Sequence, residues 1–225
     1  MIKFENVSKK FPLGNVALKD ISFEIKDEEF IFLVGPSGAG KTTILKLILR
    51  EFLPTEGKIL IGDWETSSLN FKEIISLRRK IGIVFQDFKI LNEKTVFENI
   101  ALSLAVLGLS EKKIKEEVMD ALKMVNLEGK ERLFPLQLSA GELQRVAIAR
   151  AVVGERKILL ADEPTGNVDP KTAWEIMRLF KKWEKKRTII IATHNVDIVN
   201  SMQKRVLILK NGQLVKDLKK GGYEI

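Results

Sequence analysis

An apolar run and the loop that follows it decide the fold: Phe30-Ile31-Phe32-Leu33-Val34, then Gly35-Pro36-Ser37-Gly38-Ala39-Gly40-Lys41-Thr42. A short run without polar residues is typical of a strand that is buried on both faces of a parallel sheet. The loop is rich in glycine, and a helix is predicted from Lys41 to about Arg50. The order of strand, tight loop and helix indicates an α/β fold.

The loop has the spacing G-x-x-x-x-G-K-[ST], and each position has a chemical reason. Glycine at 35, 38 and 40 lets the backbone N–H groups surround a triphosphate, and the next helix directs its positive N-terminus at the phosphates. Lys41 adds a cation for the β- and γ-phosphates, and Thr42 offers a hydroxyl to Mg²⁺. The predicted phosphate-binding set is Gly35, Pro36, Ser37, Gly38, Ala39, Gly40, Lys41, Thr42 and Thr43.

A second apolar run, Ile158-Leu159-Leu160-Ala161, ends in the two carboxylates Asp162 and Glu163. A strand end beside a phosphate-binding loop is where a Mg²⁺-binding aspartate belongs, so Asp162 is the candidate for that role. Glu163 is placed to accept a proton from an attacking water. The two runs together predict a site for hydrolysis of a triphosphate.

Composition limits the other classes of protein. Of the 225 residues 45% are hydrophobic and 30% charged, which is typical of a globular chain. Without cysteine, disulfides and thiolate metal sites are excluded. Neither a signal-peptide core nor a membrane span is predicted, so we expect a soluble protein. The net charge of +8 is compatible with binding to nucleic acid, with attraction to an anionic membrane, or with solvated faces shared by Lys and Glu. The basic residues are scattered along the chain, which favours solvated faces.

Further elements follow from periodicity and turn residues. A hairpin is predicted across Asn211-Gly212, joining 205–210 to 213–216. Residues 95–150 indicate mostly helix, with an apolar stripe that includes Val118 and Leu122. The other predicted strands are 2–6, 17–25, 57–61, 81–85, 157–161 and 188–192, and two helices are predicted at 142–154 and 170–186.

Four further motifs stand in a definite order around these runs. They are Gln86, Leu138-Ser139-Ala140-Gly141-Glu142, Asn167-Val168-Asp169 and His194. In order and spacing the chain resembles the ABC family of ATP-binding proteins, in which these motifs are the Q-loop, the signature, the D-loop and the switch histidine. Two signature residues depart from the usual pattern, because Ala140 stands where glycine is commoner and Glu142 where glutamine is common.

The resemblance implies a fold and a division of the chain. The fold is α/β, with a P-loop NTPase (RecA-like) core, an antiparallel β subdomain and an inserted α-helical subdomain. Residues 1–225 would form a single ABC ATP-binding domain, with the core and β subdomain at about 1–87 and 156–217. The helical subdomain would occupy about 88–155, followed by a basic tail at 218–225.

The resemblance also implies a role for each matched residue. Lys41, Gln86, Glu163 and His194 would be catalytic, and Thr42, Gln86 and Asp162 would hold Mg²⁺. Each of these positions also has an ordinary structural interpretation, such as a surface amide for Gln86.

Two copies of the chain would sandwich ATP between them. The signature would bind the ATP of the second copy, through Ser139, Ala140, Gly141 and Glu142, and Asp169 would cross the interface. Phe11 would stack on adenine, with Val16 nearby. Alternatively, Ser139 and Asp169 are only helix N-caps.

Within the family, several stretches resemble the cell-division branch; they are 4–8, 85–88, 95–99 and 174–180. This implies a cytoplasmic protein that lies against the inner face of the cell membrane. Its partner would be an FtsX-type integral membrane protein, and indirectly a cell-wall hydrolase, with no specific nucleic acid. The alternatives are the ATPase of a lipoprotein-release or macrolide-export transporter, and a nucleic-acid-binding ABC protein.

Overall fold

The computed structural model describes residues 1–223. They divide into two compact units, the first comprising Met1–Arg78 and the chain from Glu184 onward, the second Arg79–Trp183. The second unit is longer than the predicted helical segment. It also contains two strands and a helix that we had assigned to the core. The predicted subdomain boundaries therefore remain a prediction.

The first unit contains a four-stranded antiparallel sheet in the order β2-β1-β4-β5. Its strands are β1 (Ile2–Lys10), β2 (Val16–Ile25), β4 (Glu56–Ile61) and β5 (Trp64–Glu65). Buried and exposed residues alternate along much of β2, as expected where one face of a sheet meets the core. On that buried face Phe4 stacks on Phe23, with ring centroids 4.6 Å apart.

The first unit also contains the strand that the opening apolar run predicts. The additional strands are β3 (Phe30–Val34), β8 (Thr188–Thr193), β9 (Arg205–Lys210) and β10 (Gln213–Leu218). β3 lies between β8 and β9 and is parallel to both. Every residue of β3 and β8 is buried, in agreement with their apolar sequences. The predicted hairpin is also present, since β9 and β10 are antiparallel across a turn with positive φ at Asn211 and Gly212.

The second unit is mostly helical, and its two strands are parallel. These strands are β6 (Ile81–Val84) and β7 (Ile158–Asp162), and the helices are α3 (Val96–Ala105), α4 (Glu111–Met124), α5 (Ala140–Val152) and α6 (Pro170–Trp183), with a 3-10 turn at Pro135–Gln137. α3 and α4 both pack on α5. The predicted apolar stripe on α4 is confirmed, because Val118 and Leu122 are fully buried.

Several boundaries differ from the prediction. The signature helix α5 begins at Ala140 rather than 142, because Ser139 and Glu142 form a capping box. It ends at Val152, shortly before Gly154, which has a φ of 72°. The remaining helices are α1 (Lys41–Ile48), α2 (Ile74–Arg79) and α7 (Val196–Met202), and neither α2 nor the two-residue strand β5 was predicted. None of the helices within residues 1–223 has the length and apolar character needed to cross a membrane.

The basic tail at 218–225 stays a prediction, and the structure describes it as far as Tyr223. Leu218 ends β10, and Tyr223 is buried. Asn200 of α7 holds this segment: its Oδ1 accepts hydrogen bonds from the N–H groups of Gly222 and Tyr223, both at 2.9 Å, and its Nδ2 donates to the Tyr223 carbonyl at 2.9 Å. Residues 224 and 225 lie outside the described residues. The segment up to Tyr223 therefore packs on the first unit.

Replacing Asn200 tests this packing. We expect Asn200→Ala to lower the free energy of unfolding by about 2 kcal/mol, because three hydrogen bonds are lost and two of them are partly buried. Chemical denaturation measures the change. Ser201→Ala, one residue further on and exposed, is the matched control and should change stability by less than about 0.5 kcal/mol. Equal effects of the two variants would contradict this assignment.

Candidate functional site

The phosphate-binding loop lies between β3 and α1 in the first unit, and two of its glycines are required by close packing. A Cβ at Gly35 would lie 2.2 Å from the Leu209 carbonyl oxygen, and one at Gly40 would lie 2.6 Å from Cδ2 of Leu18. Both glycines also have positive φ, 148° and 104°. No larger residue fits either position, so the loop can follow this path only with glycine there.

Lys41 is nearly buried and folds back over the loop. Its Nζ donates hydrogen bonds to the carbonyls of Gly35, at 2.8 Å, and Pro36, at 3.1 Å. Thr42 is exposed and Thr43 half-buried at the first turn of α1, where backbone N–H groups point out of the helix. Pro36, Ser37 and Gly38 are exposed, whereas Ala39 is buried. The loop thus presents N–H groups, one ammonium and hydroxyls at one place, a set that suits a polyphosphate.

The strand register brings His194 to the same edge. Val34, the last residue of β3, pairs in parallel with Thr193, the last residue of β8. Gly35 and His194 therefore directly follow two neighbouring strands, although they are far apart in sequence. His194 is exposed there. The predicted histidine and the predicted loop meet at one sheet edge.

Phe11 lies in the turn between β1 and β2 of the same unit, and Val16 follows that turn. Phe11 is half-buried and its ring meets that of Phe52 edge to face, with centroids 5.2 Å apart. The Lys9 ammonium lies 5.3 Å from the Phe11 centroid. Val16 begins β2 and is 50% exposed. Because Lys10 pairs with Val16, Phe11 and Val16 lie at the same end of this strand pair. An aromatic ring and an exposed apolar side chain suit contact with a base, and the adenine contact remains a prediction.

The second unit brings together Gln86, Asp162 and Glu163. β6 and β7 are parallel, with Val84 opposite Ala161, so the residues after both strands emerge at one edge. Asp162 and Glu163 are half-buried and Gln86 is exposed. Glu163 has a φ of 46°, a left-handed conformation that is uncommon for a residue with a side chain.

The signature forms the N-terminus of α5. The Ser139 hydroxyl accepts a hydrogen bond from the Glu142 N–H, at 3.4 Å, and donates to the Glu142 carboxylate, at 2.9 Å. The same carboxylate accepts from the Ser139 N–H, at 2.8 Å. Ala140 is exposed, so its methyl group causes no crowding within this chain. Ser139 is thus an N-cap, in agreement with the structural interpretation. Its side chain is exposed, and its contact with a phosphate remains a prediction.

Lys130 is a residue of this region that sequence reasoning missed. Its ammonium forms an ion pair with the second oxygen of the Glu142 carboxylate. This ion pair and the hydrogen bonds from Ser139 hold the pKa of Glu142 at about 2. No sequence motif links positions 130 and 142. The lysine neutralises the acidic residue that replaces the glutamine common at this point of the signature.

The D-loop and the signature lie side by side in this unit. Asp169 caps α6, accepting hydrogen bonds from the Thr172 N–H, at 3.0 Å, and the Thr172 hydroxyl, at 2.5 Å. These bonds lower the pKa of Asp169. A Cβ at Gly141 would lie 2.9 Å from Cγ2 of Thr172, so the signature glycine allows α5 to approach the start of α6. The N-cap interpretation of Asp169 therefore holds, and its interface role remains a prediction.

A family comparison agrees with these motifs, since the ABC transporter profile matches residues 18–166. A dimeric structure of the ATP-binding cassette MJ0796 in a post-hydrolysis state, bound to ADP and Pi, superposes with a TM-score of 0.90 at 37% identity, covering 99% of this chain and 100% of that one. The chain belongs to the ABC transporter family. It is an ATP-binding and ATP-hydrolysing protein, and the predicted fold class is confirmed.

Within that family, the cell-division ATP-binding protein FtsE of Bacillus subtilis is 48% identical over 99% of this chain and 98% of its own length. FtsE of Escherichia coli K12 is 43% identical over 95% of this chain and 97% of its own length. The predicted resemblance to the cell-division branch is confirmed.

The ion pair at Glu142 leads to a prediction about protonation. We expect Lys130→Met to raise the Glu142 pKa from about 2 toward its usual 4.5, and to leave it below that value because the Ser139 bonds remain. With the pKa lowered, the folded state gains stability above pH 4.5 that is lost as the pH falls toward 2. The variant should lose part of this gain.

NMR titration of the Glu142 carboxyl carbon measures the change. Lys123→Met removes a lysine of the same unit that is exposed, and should leave the midpoint at about 2. An unchanged midpoint in Lys130→Met would contradict the ion pair.

Proposed function

We propose that this chain is the ATPase subunit of an FtsE-type membrane complex that acts in bacterial cell division. The observation that carries the proposal is the match to proteins with that name, 43–48% identical over at least 95% of the chain. A match of this extent includes the regions outside the ATP-binding motifs, which differ most between members with different partners. The partner would be an FtsX-type integral membrane protein, and the chain would lie at the inner face of the membrane.

Two copies of the chain would bind ATP between them. In this proposal the loop at 35–43 of one copy binds the triphosphate, and the α5 N-terminus of the other copy contacts the γ-phosphate through Ser139 and Gly141. The dimeric form of the similar cassette supports this arrangement. The exposure of Ser139 and Ala140 supports it as well, because an anion can approach the N-terminus of α5.

The predicted oxygen donors fit a magnesium ion. Thr42 offers an exposed hydroxyl, Gln86 an exposed amide and Asp162 a half-buried carboxylate. Mg²⁺ prefers such hard ligands and keeps waters and phosphate oxygens in the rest of its shell. When bound, the ion would neutralise charge on the β- and γ-phosphates.

The chain's own residues would then support in-line attack by water. Glu163, held in its left-handed conformation at the end of β7, would accept the proton of the water. His194 would hold the γ-phosphate from the edge of β8, and Lys41 would exchange its loop carbonyls for phosphate oxygens. Loss of the γ-phosphate would separate the two copies, and the segment after Gln86 would pass that motion to the membrane partner.

The main alternative is a subunit of a transporter for lipoproteins or macrolides. Its ATP chemistry would be the same, so the ATP-binding motifs do not separate the two functions. The extent of the match to FtsE proteins favours the cell-division role, with control of a cell-wall hydrolase through the membrane partner.

Glu163→Gln tests the catalytic assignment. We expect it to retain ATP binding, to lower kcat about a hundredfold or more, and to accumulate as an ATP-bound dimer, because the amide cannot take the proton. Turnover assays and light scattering with MgATP measure these changes. Glu155→Gln, an exposed glutamate of the same unit, is the control and should keep normal turnover. Near-normal hydrolysis by Glu163→Gln would remove that residue from its role.

The partner is tested by co-purification. A tagged chain, isolated from its own bacterium in mild detergent, should retain an FtsX-type membrane protein that mass spectrometry identifies. Cells that lack this membrane protein are the control. Recovery of a lipoprotein-release or macrolide-export permease instead would favour the transporter function.

A further inference from the structure

The segment that follows Gln86 has an unfavourable backbone conformation. Phe88 and Lys89 have φ values of 58° and 49°, in the left-handed region. Within residues 1–223 no other two consecutive non-glycine residues share it. A side chain with a Cβ is disfavoured there, and an aromatic residue especially so. Contacts elsewhere in the unit must therefore hold the segment 86–89.

Arg150 supplies those contacts from the last turn of α5. Its guanidinium donates one hydrogen bond to the Phe88 carbonyl, at 2.6 Å, and another to the Lys89 carbonyl. The planar guanidinium directs several N–H groups at fixed angles, so a single side chain can hold two adjacent carbonyls. Both strained residues are therefore anchored by one arginine.

The start of the segment is anchored as well. Asn167 of the D-loop donates from Nδ2 to the Gln86 carbonyl, at 3.1 Å. Main-chain carbonyls of Gln86, Phe88 and Lys89 thus accept side-chain hydrogen bonds. One donor, Asn167, belongs to the D-loop, and the other, Arg150, lies in the last turn of the helix that begins at the signature.

Burying the charged side chain of Arg150 is energetically unfavourable. It is largely withdrawn from water, and burial lowers the pKa of its guanidinium. Within the described part of the chain its hydrogen bonds go to main-chain carbonyls, and it forms no ion pair with a carboxylate. A desolvated cation without a counter-charge is unfavourable unless its geometry is needed.

We propose that Arg150 is a positioning residue that makes the segment 86–89 move together with the signature helix. α5 runs from Ala140, next to Ser139, to Val152, so its two ends carry the signature and the arginine. A helix of this length is stiff along its axis, and displacement of the signature end displaces Arg150 too. The effect on ATP hydrolysis rests on the proposed function, since Gln86 is assigned there to the magnesium ion.

The test compares Arg150→Lys with Arg156→Lys. Arg156 is a matched control, because burial also lowers its pKa and its guanidinium also binds main-chain carbonyls, those of Arg79 and Val153 among them, away from the segment 86–89. Lysine keeps the charge but cannot hold two carbonyls in a fixed plane. Thermal unfolding of both variants reports any general loss of stability.

Hydrogen exchange of the chain without nucleotide is the first readout. In Arg150→Lys the amides of Phe88 and Lys89 should exchange about tenfold faster or more, and those of β6 should not change. Arg156→Lys should leave Phe88 and Lys89 as in the wild type. The inference is wrong if Arg150→Lys leaves these amides unchanged, or if both variants accelerate them equally.

ATP hydrolysis is the second readout. Arg150→Lys should lower kcat about tenfold with KM for ATP within about twofold, because Gln86 is misplaced while the nucleotide loop is intact. Adding Lys89→Gly should recover most of the lost kcat, since glycine adopts the left-handed conformation without strain. If the double variant is as slow as Arg150→Lys alone, Arg150 does not act by holding Lys89 in its left-handed conformation.

The two proposals fail separately. If Glu163→Gln hydrolyses ATP normally, the proposed catalytic assignment fails, while amide exchange at Phe88 and Lys89 still decides the role of Arg150. If Glu163→Gln is inactive and Arg150→Lys matches the wild type in exchange and kcat, only the inference about Arg150 fails.

Discussion

The nucleotide-binding loop depends on one constraint: its backbone passes so close to neighbouring main chain that no side chain fits between them. A Cβ at Gly35 would collide with the Leu209 carbonyl of β9, and one at Gly40 would collide with the Ala17 carbonyl of β2. Because the loop is pressed against these strands, Lys41 can fold back and bind the Gly35 and Pro36 carbonyls. The strands thereby preorganise an ammonium and a helix N-terminus before a triphosphate arrives.

The register of the parallel strands positions the polar side chains of the site, as close packing positions the loop. Val34 and Thr193 end neighbouring strands together, and Val84 pairs in the same way with Ala161. Within each unit the polar residues that follow the paired strands therefore emerge at the same edge of that pair, and ligands commonly bind at the carboxyl ends of parallel strands. In the second unit, helix caps add a further level of order, because Asp169 fixes Thr172 and Thr172 faces the signature glycine.

Part of this was predictable from the sequence, and the failures have physical reasons. The buried strand β3 and the hairpin at Asn211-Gly212 were predicted correctly, because apolar runs and positive-φ turns are local signals. The start of α5 was placed two residues late, although the spacing of Ser139 and Glu142 is that of a capping box. The short elements α2 and β5 were missed, since elements of six and two residues carry too little periodicity to be recognised.

The sequence by itself determined the phosphate-binding loop, the buried strands and the family. Each of these depends on particular residue types at short, regular spacing. Tertiary structure alone decided that Lys130 neutralises Glu142 and that Arg150 holds the carbonyls of Phe88 and Lys89. Every residue has a carbonyl, so no pattern in the chain tells which of them an arginine will reach. That choice is made only when the packing of α5 against the rest of its unit brings donor and acceptor together.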